Sequence, residues 1–103
     1  MKEWIEYIIQ LGEKAKKEYD ERDFVDLCII GRKMAEHLNM LLEKEHIDLD
    51  ITDIWDFFSK YNGEEDLFKP LLASQWGGLP DSKTGEECMS FINKILSITE
   101  RLR

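Results

Sequence analysis

One apolar stripe constrains this chain more than any other feature. Phe24, Leu27, Gly31, Met34, Leu38 and Leu41 step by three, four, three, four and three residues, and Cys28, Ala35 and Leu42 widen the stripe. A helix of about 3.6 residues per turn brings such positions to one face. The stripe predicts a helix from Phe24 to about Glu45. A second stripe, Ile5, Ile8, Gly12, Ala15 and Tyr19, flanked by Trp4 and Leu11, predicts a helix from about Lys2 to Tyr19. Between them lies Asp20-Glu21-Arg22-Asp23, where either aspartate can accept backbone N–H bonds as an N-cap.

Both stripes are notched by small residues, Gly12 and Ala15 in the first, Gly31 and Ala35 in the second. A glycine inside a helix costs up to about 1 kcal/mol against alanine. A close approach of the two helices at their middles would offset that cost, so an antiparallel hairpin is expected. Ile29 and Met40 sit about 160° and 180° from Gly31 around the helix. They are candidates for contact with another layer or another chain.

Further along, His46 to Asp50 reads as a connector, and Asp50 as the N-cap of a helix from Ile51 to about Tyr61, ended by Asn62-Gly63. Pro70 either opens a short helix or kinks a longer one. Trp76 to Pro80 reads as a loop anchored by the indole. Thr84-Gly85-Glu86-Glu87 fits a capping box, and Cys88, Phe91, Ile92, Ile95, Leu96, Thr99 and Leu102 mark a last helix. No segment alternates as a strand would. The expected architecture is all-α: one domain over residues 1–103, four long helices plus a short or kinked fifth, in an antiparallel bundle.

Charge narrows the function classes. The net charge is −8, and eight acids against one base fall between positions 45 and 66: Glu45, Asp48, Asp50, Asp53, Asp56, Glu64, Glu65 and Asp66 against Lys60. Such a surface repels nucleic-acid backbones, which need basic side chains to displace counterions. It suits solubility or a basic protein partner. Cys28 and Cys88 are expected as buried free thiols. No metal-ligand spacing, phosphate-cradling loop or membrane-length apolar run is present in the sequence, so no metal, cofactor or membrane association is expected. The amphipathic start is unlike a signal peptide, and a cytoplasmic protein is the expectation.

The helix order, the acidic turn and the segment Asp23 through Arg32-Lys33-Met34-Ala35-Glu36 resemble HEPN-type helical domains. The likeness runs from about Tyr19 to Leu102. It implies a dimeric helical domain, and in active members an Arg-x(4–6)-His motif near the start of the last long helix that cleaves RNA without metal. The matching stretch here, Gln75 to Ser82, holds neither arginine nor histidine. The spacing occurs instead as Arg32 and His37. Five residues in a continuous helix separate two side chains by about 140°. One protomer therefore cannot converge them on one phosphate. The alternative is structural: Arg32 pairs with Glu36 or bonds a loop such as Trp76–Pro80, and His37 flanks the core stripe. His46 is placed as a helix C-terminal cap.

Three readings follow. The first is a non-enzymatic regulatory interaction domain, homodimeric, with interface candidates Ile29, Met40, Trp76 and Leu79 and the acidic 45–66 segment facing a basic partner. The second is an inhibitor imitating nucleic acid. The third is a HEPN-type ribonuclease using Arg32 and His37.

Overall fold

The computed structural model describes residues 1–65 and 67–103. Five α-helices run in chain order: α1 Lys2–Asp20, α2 Phe24–Lys44, α3 Thr52–Phe58, α4 Lys69–Trp76 and α5 Ser82–Arg101. No strand occurs among the described residues. Three helices are long and two are short, a correction to the expected four long ones. The helix expected from Ile51 to Tyr61 stops at Phe58, so Asn62-Gly63 lies beyond its end rather than forming its cap.

The two apolar stripes build the α1–α2 pair as their periodicity requires. Trp4 meets Lys44, Tyr7 meets His37 and Tyr19 meets Phe24, so residue numbers fall along α2 as they rise along α1. On α5, Leu96 meets Gly12, and just past the end of that helix Arg103 meets Glu6. Helix α2 also packs on α3 and α5, which leaves it buried along most of its length.

The glycine notches serve other partners than the expected one. A Cβ on Gly12 would lie 2.6 Å from a methyl of Leu96, and one on Gly31 would lie 2.2 Å from the Phe58 ring. Gly12 thus admits α5 and Gly31 admits α3, rather than letting α1 and α2 close on each other. Phe58 is fully buried and bounded by Phe57 and Phe91, so it has little room to yield.

The helix ends follow local chemistry. Asp23 caps α2 by accepting from the Asp26 N–H at 3.2 Å. Asp81, not Thr84, caps α5, accepting from the Thr84 N–H at 2.9 Å. Thr84 lies inside the helix, so the expected capping box is not the cap. Helices α1 and α2 both end in Schellman turns whose left-handed residue is not glycine. Arg22 (φ 59°) sits between bonds from its own N–H to Tyr19 and from Asp23 N–H to Glu18. His46 (φ 55°) does the same with Glu43, while Ile47 N–H reaches Leu42. Histidine therefore ends α2 through its backbone.

Three outcomes test this packing and these helix ends. Gly31→Ala should lower the melting temperature, because overpacking a rigid core costs about 1–3 kcal/mol and outweighs the helix propensity gained. Gly12→Ala should cost less, since Leu96 is only half-buried. His46→Gly should raise the melting temperature by several degrees, because relief of a left-handed non-glycine residue gains about 1 kcal/mol. Thermal denaturation followed by circular dichroism measures all three.

Candidate functional site

Arg32 and His37 point to different elements. The Arg32 guanidinium donates to the Ser59 carbonyl at 2.7 Å and to Glu36 Oε1 at 2.9 Å, and lies 5.3 Å from the centre of the Trp55 ring. Ser59 closes α3, so its carbonyl is one of those a helix end leaves without an internal partner. Arg32 therefore caps α3 from the neighbouring helix. The sequence expectation of a bond to the Trp76–Pro80 loop is corrected to this one. His37 turns toward α1: its Nδ1–H donates to the Lys33 carbonyl at 2.7 Å, and its ring packs 4.7 Å from that of Tyr7. That bond leaves Nε2 as the nitrogen open to other partners. Within one chain the two side chains do not share a reacting position, and a general acid or base must first reach the proton it moves.

The interface candidates divide. Ile29 is 1 % exposed, packed with Val25, Leu72 and Trp76, because α4 covers that side of α2. Of the two contacts expected for Ile29, another layer of the fold is the one found, and this corrects its candidacy as an interface residue. Trp76 is the last residue of α4, packs edge-on to Tyr61 at 5.2 Å, and donates from Nε1 to the Asn62 carbonyl at 3.3 Å. It anchors α4 rather than the loop. Met40 (47 % exposed) and Leu79 (62 %) remain open. Met40 borders a shallow depression with Trp4, Tyr7 and His37.

The acidic segment is not one uniform surface. Asp50 accepts from the N–H of Thr52 and so orders the start of α3. Asp53 pairs with Lys94, and Glu65 with Lys14 and Lys33. Glu45, Asp48, Asp56 and Glu64 are exposed. Asp66 lies outside the described residues. Cys28 and Cys88 are both buried and free; burial pushes the Cys88 thiol up, its proximity to Cys28 adds to the effect, and its S–H points to the Leu27 carbonyl.

A cluster that periodicity did not reveal forms at the α1–α2 turn. One oxygen each of Glu18, Asp23 and Asp26 lies within 4.8 Å of the others. Lys69, from α4, pairs with Asp23 and stands 3.8 Å from Asp26. These three carboxylates are the residues that could hold a cation, and the Lys69 ammonium already supplies one. The positive charge falls short. Burial and the Asp23 charge push the Asp26 carboxyl up to about 6. Burial also pushes Asp23 upward, but the Lys69 bond and the Asp26 N–H outweigh it and hold it below the usual range. Glu18 is raised by burial and by Asp23 and Glu21. Asp23 was readable as an N-cap, but Lys69 stands 46 residues from it and no local signal joins them.

No family model, curated protein or solved structure matches the chain.

The raised Asp26 has a signed consequence. The native state holds that proton more tightly than the unfolded chain does. Its contribution is fully favourable below about pH 4 and is lost as pH rises toward about 6. Asp26→Asn keeps a donor toward Asp23 and removes the charge. It should raise the melting temperature by a few degrees at pH 7.5, with the gain disappearing near pH 4. Arg32→Ala should destabilise at every pH, by about 1.5–3 kcal/mol, since it strips a charged donor from the Ser59 carbonyl. Chemical denaturation across pH distinguishes the two.

Proposed function

We propose that this chain is a non-enzymatic, HEPN-like interaction domain, an antiparallel helical bundle that regulates a basic protein partner by binding it. The observation that carries the reading is the fate of Arg32. A guanidinium committed to the α3 terminus, to Glu36 and to the Trp55 face is a structural arginine. His37, the other member of the candidate pair, faces α1.

The net charge of −8 and the exposed Glu45, Asp48, Asp56 and Glu64 favour a partner rich in lysine and arginine. The nucleic-acid-mimic reading draws less support, because Asp50, Asp53 and Glu65 are spent on contacts within the chain. Met40 and Tyr7, both exposed beside Trp4, offer the surface on which a homodimer would form now that Ile29 is covered.

Affinity capture from the source cells, followed by binding of the purified partner across a salt series, tests the reading. The expected result is a basic protein whose affinity falls steeply as salt rises. RNA cleavage by the wild-type chain, abolished in His37→Ala, would overturn it in favour of a ribonuclease. Light scattering should give twice the chain mass for the proposed dimer, with Met40→Glu returning it to a monomer.

A further inference from the structure

The start of α4, with the two residues that precede it, stands apart from the rest of the surface. Phe68 is 72 % exposed and Leu71 57 %, and Leu67 lies open beside them. Leu67 and Leu71 form the wall of a groove of about 500 Å³ that continues over Ile29 and Leu72 toward Arg32 and Glu64. Three large apolar side chains exposed within five residues are more than scattered surface apolars account for.

The charge bordering this face is unbalanced in one direction. Among the described residues, Glu18, Asp23, Asp26, Glu36, Glu64 and Glu65 border the groove or the α4 start, against Lys14, Arg32, Lys33 and Lys69. Every one of those four cations is already paired with one of these acids. The groove side is balanced, with Glu36, Glu64 and Glu65 against Lys14, Arg32 and Lys33; the negative excess sits on the other flank, where Glu18, Asp23 and Asp26 face Lys69. A second copy docking by the same face would set these acids against each other, since an isologous contact meets itself.

We infer that the Leu67–Phe68–Leu71 face at the start of α4, with its flanking carboxylates, docks an amphipathic helix of a partner protein that carries apolar residues along one side and lysine or arginine beside them. This rests on the interaction-domain reading and names its surface. The partner's apolar ridge lies in the groove as in other helix-in-groove complexes. Its cations reach the Glu18, Asp23 and Asp26 group. The apolar contact supplies affinity, and the charges supply orientation and a faster encounter.

The probe is a helical peptide of leucine and lysine with one apolar face, titrated into the whole protein by calorimetry. Saturable one-to-one binding is expected. The double variant Phe68→Ser with Leu71→Ser should weaken it at least about tenfold. Both side chains are open to solvent, and an unchanged circular dichroism melt confirms that the variant folds; Leu67→Ser is a second, independent probe of the same face. Glu18→Gln with Asp26→Asn should also weaken binding, whereas Glu43→Gln with Glu100→Gln, exposed acids at the far ends of α2 and α5, should leave it unchanged. Equal binding by the serine variants, or equal loss on neutralising Glu43 and Glu100, would overturn the proposal by reducing it to general charge attraction. Self-association of the protein that Phe68→Ser abolishes would overturn it in favour of a second copy. A natural partner that binds regardless of Phe68 and Leu71 would overturn this surface while leaving the broader reading intact.

Discussion

The contact between Gly31 and the Phe58 ring sets the arrangement on which the other features depend. It lets α3, only seven residues long, press its aromatic end into the middle of α2. A helix that short holds few backbone bonds of its own and takes its stability from packing. With Phe58 seated, the Ser59 carbonyl comes within reach of Arg32, and the Trp55 ring comes under the same guanidinium. The residue that looked most like chemistry is thereby bound to a structural task by a glycine one position before it.

That burial extends around α2. Leu27, Met34, Leu38 and Leu41 face the main core, while Val25 and Ile29 are covered separately by α4. A helix covered on two sides presents little of itself to a substrate or partner. The large exposed apolar side chains lie mostly off α2, at Leu67, Phe68, Leu71 and Leu79, with Met40 the one that α2 itself presents among the described residues. Placing recognition on the lightly packed α4 also fits the energetics, because elements with few buried contacts can adjust at little cost.

Local rules account for what could be read in the sequence. The bounds of α1, α2 and α5 follow from stripes of 3.6-residue periodicity and from acids placed at helix starts, which need no knowledge of distant residues. Asp23 reads directly as a cap, and Arg32 with Glu36 as a pair one turn apart. Readings that failed were those that needed a distant partner. Gly12 and Gly31 marked close approach, but only the assembled chain shows that Leu96 and Phe58 fill the notches. Whether Ile29 meets another layer or another chain was not legible, because the helix that covers it begins forty residues later. The Glu18, Asp23 and Asp26 group drew no notice for the same reason: Lys69 arrives from α4. The local pattern misreads the start of α5: the cap is Asp81, which accepts from the N–H of Thr84, the residue that pattern selects as the cap.

As proposed, this chain acts by presenting the face at the start of α4 to a basic, amphipathic partner, with Arg32 and His37 serving the scaffold. Hydrogen exchange of the protein, free and saturated with the leucine–lysine peptide, is the decisive measurement. New protection is expected to concentrate between Leu67 and Leu79, with the already protected centre of α2 unchanged. Protection appearing around Arg32 and His37 instead, with α4 unaffected, would contradict it.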